Sequence, residues 1–118
     1  MNQLVADLKA ARKLIKHQDD WAKGKESFDR ARDGEVNGIC GAGAIYITTE
    51  ASSFNEIETN GDRYDLAWRA LSDCIPASPD FEDKYGRMSL PLFNDAPETT
   101  HADILALFDR AIARAEQP

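Results

Sequence analysis

Gly38-Ile39-Cys40-Gly41-Ala42-Gly43-Ala44-Ile45-Tyr46-Ile47-Thr48-Thr49 is the stretch on which the fold turns. Ile45, Ile47, Thr48 and Thr49 favour a strand by propensity. Small residues at 41, 44 and 48 would instead give a helix a thin face that lets neighbours approach closely. Tertiary context often overrides propensity, and we adopt the buried helix. The chain then reads as a single all-α domain over residues 1–118, a compact bundle of about four main helices plus short ones. A small α+β fold with 44–49 as a strand is the alternative. The glycines of Gly38-x-x-Gly41-x-Gly43 match neither G-x-G-x-x-G nor a Walker A loop, because no Lys-Ser/Thr follows and no clear strand precedes. Close helix packing accounts for them.

Helical periodicity is clear on both sides of this stretch. Asn2 is placed to cap a first helix, along which Leu4, Leu8, Ala11 and Ile15 form an apolar stripe. Lys9, Arg12, Lys13 and Lys16 form its solvated back. Trp21 sits in a turn and lays its ring over the core. Residues 23–37 are polar, with Phe28 as the one strong apolar anchor, and read as a long surface connection with one helical turn. Asn60-Gly61 reads as a stop. Asp62 then caps a helix carrying Tyr64, Ala67, Trp68, Leu71, Cys74 and Ile75, which Pro76 ends. Ser78-Pro79 starts a short helix with Phe81 and Tyr85 one turn apart. Met88 to Thr99 is a loop too apolar, at Leu90, Leu92 and Phe93, to hang free. Thr100 caps the last helix with Asp103 as its capping-box partner, and Ile104, Leu107, Phe108, Ala111, Ile112 and Ala115 form its buried stripe. The expected core combines Leu4, Leu8, Ile15, Trp21, Ile45, Trp68, Leu71, Ile104, Phe108 and Ile112.

The chain has 118 residues, 42% hydrophobic and 30% charged, which fits one packed domain. Its 14 Lys+Arg against 21 Asp+Glu give a formal charge of −7. The imbalance lies almost wholly in residues 37–118, with 6 basic and 14 acidic side chains. Such a field repels phosphate and disfavours nucleic acid as a partner; it serves solubility or suits a basic protein surface. The apolar run from Ile39 to Ile47 is far shorter than the ~20 residues of a spanning helix, and the start lacks a signal-peptide pattern. No membrane association is expected. Cys40 and Cys74 form no C-x-x-C pair, and both sit on apolar stripes where a thiol is inert. These features suggest a cytoplasmic protein with reduced thiols.

Site chemistry is sparse. His17 and His101 are the only histidines, and capping explains His101 and Asp103 without a metal. No catalytic residue, cofactor or metal site is expected. The one candidate functional cluster is Asn94, Asp95 and His101, either a turn and staple serving the backbone or the lining of a small pocket.

Trp21-Ala22-Lys23-Gly24, Cys40-Gly41-Ala42, Phe93-Asn94-Asp95-Ala96-Pro97 and Thr100-His101-Ala102-Asp103-Ile104-Leu105-Ala106-Leu107-Phe108-Asp109-Arg110-Ala111-Ile112 together resemble a family of small uncharacterised bacterial and phage proteins, classed as a domain of unknown function. The resemblance implies an N-terminal helix, a Trp-Gly turn, a Cys/Gly/Ala helix and an Asn-Asp loop before the last helix. It implies no activity. Two functions of different class are expected. The first is a non-enzymatic acidic interaction protein, an accessory or inhibitor of a phage or mobile element that binds a basic protein surface. The alternative is a small enzyme or ligand-binding domain using the Asn94, Asp95 and His101 region.

Overall fold

The computed structural model describes residues 2–51 and 57–117, with side-chain detail outside 50–62. Its helices are α1 (Gln3–Leu14), α2 (Lys25–Arg32), α3 (Gly41–Ala51), α4 (Ile57–Ser72), α5 (Leu90–Asp95) and α6 (His101–Glu116). Among the described residues there are two isolated bridges, Trp21 with Ile39 and Glu82 with Met88, and no strand. The fold is the all-α bundle, and 41–49 is helix.

The stripe of α1 buries Leu8, Ala11 and Ile15, and Asn2 Oδ1 accepts the Val5 N–H at 3.3 Å. Asp7 lies on the same buried face at 3% exposure. Its carboxylate accepts two hydrogen bonds from Arg63 of α4, from Nη2 at 2.7 Å and from Nε at 3.1 Å. Gln3 Nε2 donates to it as well. A carboxylate taken out of water needs such a fork-shaped donor, so this pair fixes how α1 meets α4. The last helix is as expected: Thr100 Oγ1 accepts from the Asp103 N–H, and Asp103 Oδ2 accepts from the Thr100 N–H. Ile104, Leu107, Phe108, Ala111 and Ile112 are buried.

Three local expectations are corrected. Residues 25–32 form a full helix, not a connection with a single turn. The α2 side chains that go under are Ser27 and Ala31, too small to signal an apolar stripe. Asn60-Gly61 lies inside α4, which starts at Ile57; residues 52–56, just before it, lie outside the described residues. The helix after Ser78 is only a 3-10 turn, Pro79–Phe81, after which a short ladder links Phe81–Glu82 to Met88–Ser89. Asp83 Oδ1 accepts the N–H groups of Tyr85 and Arg87, which turns the chain and leaves Tyr85 75% exposed. The segment 88–99 is pinned to the body as expected, and part of it coils into α5: Ser89 caps it, Pro91 sits in its first turn, and Leu90 and Phe93 are buried.

α3 sits at the centre, against α1, α2, α4 and α5. Its small residues make this possible. A methyl on Gly43 would lie 2.8 Å from Ala31 Cβ of α2, and one on Gly41 would lie 3.3 Å from Ile104 Cδ1 of α6. Leu8, Ile15, Ile45, Leu71, Ile104, Phe108 and Ile112 form the core; Leu4, Trp21 and Trp68 pack on it partly buried.

The two glycines predict different outcomes. Alanine gains about 1 kcal/mol of helix propensity over glycine. At Gly43 that gain meets a Cβ held rigidly by backbone, and overpacking costs about 1–3 kcal/mol. Gly43→Ala should therefore lower the urea midpoint at unchanged m-value. Gly41→Ala faces the movable tip of an isoleucine and should leave the midpoint nearly unchanged.

Candidate functional site

Four segments meet at one joint: the turn 21–24, the start of α3, the end of α5 and the start of α6. Each brings backbone groups without a partner inside its own helix. The bridge of Trp21 to Ile39 holds the turn, with the Ile39 N–H donating to Asp20 O at 2.9 Å and the Ala22 N–H to Ile39 O at 3.0 Å. Asn94, wholly buried, supplies the rest. Its Oδ1 accepts from the Trp21 indole N–H at 2.8 Å and from the Gly41 N–H at 3.1 Å. Its Nδ2 donates to Ala22 O at 3.1 Å and to Asp95 Oδ1 at 3.0 Å. A carboxamide has two donors and two acceptor sites, and all four are engaged.

Asp95 continues the joint. Its Oδ1 also accepts the Gly24 N–H at 2.8 Å, holding the residue that opens α2 with a φ of 91°. That left-handed value suits glycine. Lys23 Nζ donates to Ala96 O and lies 5.8 Å from the centre of the Trp21 ring. The turn 21–24 is thereby bound along its whole length to residues 94–96.

His101 stands on the other side of Trp21, with ring centres 5.8 Å apart. Its Nε2 lies 2.6 Å from Ile15 O. A carbonyl only accepts, so Nε2 carries the hydrogen and donates. His101 therefore closes the carbonyl end of α1 from the first turn of α6. Of the three candidate residues, Asn94 and Asp95 are brought together and His101 is set apart from them by the indole. Among the described residues no group of three or more His, Cys, Asp or Glu side chains is arranged to hold a metal ion.

Asn94 and Asp95 also border a cleft of about 330 Å³ between α2, α3, α4 and α5. Phe28, Cys40, Ala42, Tyr64, Trp68 and Pro91 form most of its lining. Phe28 and Tyr64 were not singled out as site residues in the sequence. Their signal is faint: Tyr64 and Trp68 are one turn apart, but Phe28 reaches them only through the fold. Cys40 and Cys74 are both free thiols, Cys40 buried and Cys74 half-buried. No helix among the described residues is long and apolar enough to cross a membrane.

The motifs Trp21–Gly24, Cys40–Ala42 and Phe93–Pro97 are thus parts of one joint, and the model of a single family matches residues 1–114. The chain belongs to DUF6197, a family of unknown function. No curated protein and no solved structure matches it. The joint ties three separate segments of this DUF6197 chain together.

Asn94→Ala should cost more stability than Asp95→Ala. The first leaves the Trp21 indole, the Gly41 N–H and the Ala22 carbonyl without their partner in a buried place, at about 1–3 kcal/mol for each group that water does not reach; a loss of about 3 kcal/mol or more is expected. The second releases the Gly24 amide near the surface and one Nδ2 hydrogen of Asn94, worth about 1 kcal/mol each. Urea denaturation followed by tryptophan fluorescence measures both. Equal losses would contradict the geometry.

Proposed function

We propose that this protein is a non-catalytic interaction module whose acidic face receives a basic protein surface. One observation carries the reading. Asp80, Leu92, Asp95, Ala96, Pro97 and Glu98 line a shallow groove of about 440 Å³. Three carboxylates from two separate segments line it together with Leu92, which is 41% exposed, and the Lys23 ammonium reaches its edge, bound to the carbonyl oxygens of Ala96 and Pro97. An exposed apolar side chain beside three carboxylates suits a partner that offers a lysine or arginine beside an apolar residue. The apolar contact supplies area, and the charges supply steering and orientation. An accessory or inhibitor of a phage or mobile element, acting in the cytoplasm, is the biological setting of this proposal. The two free thiols and the net charge of −7 are in keeping with it.

The alternative of a small enzyme or ligand-binding domain draws less support from Asn94, Asp95 and His101 themselves. Their hydrogen-bonding groups hold the fold together, as the previous distances describe. The cleft beside them favours its ligand-binding half.

Titration with an oligolysine peptide, followed by ¹⁵N–¹H NMR, tests the acidic face. Shifts should concentrate at Asp80, Leu92 and Glu98 in dilute buffer. They should fade at about 1 M salt, where the Debye length falls to about 3 Å. The double variant Asp80→Asn/Glu98→Gln should weaken binding about three- to tenfold, as expected for two exposed charge contacts. Shifts spread evenly over the acidic residues, or affinity indifferent to salt, would contradict the proposal.

A further inference from the structure

The cleft between α2, α3, α4 and α5 shares Asp95 with the acidic groove but has a different chemistry. Phe28 of α2 and Tyr64 and Trp68 of α4 line it, and Tyr46 of α3, outside the lining, links Phe28 to Tyr64. Phe28 of α2 meets Tyr46 of α3 edge-on at 5.6 Å, and Tyr46 meets Tyr64 of α4 edge-on at 6.3 Å. Tyr64 meets Trp68 at 6.1 Å with the rings tilted by 37°. All four rings are only partly buried. Cys40, Ala42 and Pro91 complete an apolar lining.

The charges at this cleft cancel. Among the described residues, Lys25 and Asp95 are the charged ones that line it, and both are exposed, so one ammonium and one carboxylate stand at its mouth. The carboxamide of Asn94 is fully engaged and offers nothing further to a ligand. Recognition therefore rests on aromatic and apolar area, the usual make-up of a small-molecule pocket. Size narrows the class. An engineered apolar cavity of about 150 Å³ takes one benzene, and this cleft, at about 330 Å³, is roughly twice as large.

We propose that the aromatic cleft of Phe28, Tyr64 and Trp68 binds an uncharged, planar ligand of about two fused rings. The ligand lies against the ring row and displaces water from it. The site works without the acidic groove, and neither depends on the other.

The test is a ¹⁵N–¹H NMR titration of the full chain with 2-naphthol at neutral pH, with 2-naphthoate and 2-naphthylmethylammonium as charged counterparts. Saturable shifts are expected at Phe28, Cys40, Tyr64 and the Trp68 indole N–H. Both charged probes should bind about tenfold more weakly, because each carries a hydrated charge toward an apolar lining. Phe28→Ala removes part of the row and should weaken 2-naphthol about tenfold. Ala42→Leu fills the cleft and should abolish binding. Circular dichroism establishes that each variant is folded. The Asp80→Asn/Glu98→Gln variant should bind 2-naphthol as the wild type does, which separates this site from the acidic face. Absence of saturable shifts in the wild type, shifts that map elsewhere, or tighter binding of either charged probe would overturn the proposal, whatever the variants do. So would unchanged affinity in a folded Phe28→Ala or Ala42→Leu.

Discussion

The buried carboxamide of Asn94 is the interaction on which the other arrangements depend. Short helices bring many chain ends into a small volume, and every end exposes amides or carbonyls that its own helix does not satisfy. Where those ends are covered by neighbours, water is not there to serve them, and an unpaired group is costly. Asn94 answers this for three segments at once. It joins the indole and carbonyl of the turn 21–22, the first amide of α3 and the side chain of Asp95, at distances of 2.8 to 3.1 Å. A residue with donors alone or acceptors alone would leave part of the joint unmade.

Around that joint the helices are placed by what their surfaces lack. α3 lies in the middle because Gly41 and Gly43 leave no side chain between it and α6 or α2. α1 meets α4 through the buried Asp7 and Arg63, a fork-shaped pair that fixes orientation as well as distance. His101 ties the start of α6 to the end of α1. The aromatic cleft and the acidic groove then lie on either side of α5, whose Asp95 borders both. The two proposed binding surfaces therefore share the segment that closes the fold, and rigid support of this kind limits the ordering cost of binding.

The sequence spoke clearly where information is local. The Thr100–Asp103 capping box and the stripe from Ile104 to Ile112 are spelled out within one helix, and both are present. The small residues of 41–44 were legible as close packing, and that outweighed the β-branched residues after them. α2 was not legible, because its buried side chains are Ser27 and Ala31. Asn60-Gly61 looked like a stop, yet the backbone of α4 continues through it. Asn and Gly weaken a helix interior by no more than about 1 kcal/mol each, an amount tertiary packing readily offsets. Asp7 with Arg63, and His101 with the end of α1, join residues 56 and 86 positions apart, and no spacing rule reaches that far. For the candidate cluster, the residues were legible and their neighbours were not: the cleft wall comes from Phe28, Tyr64 and Trp68 on two other helices.

Amide and indole hydrogen exchange in the native state tests the central role of Asn94 most directly. If its carboxamide knots the three segments, the Trp21 indole proton and the Gly41 amide proton should exchange only through global opening, with equal free energies that fall together in denaturant. Rapid exchange of either proton, at the rate of an exposed turn while α6 stays protected, would contradict the account.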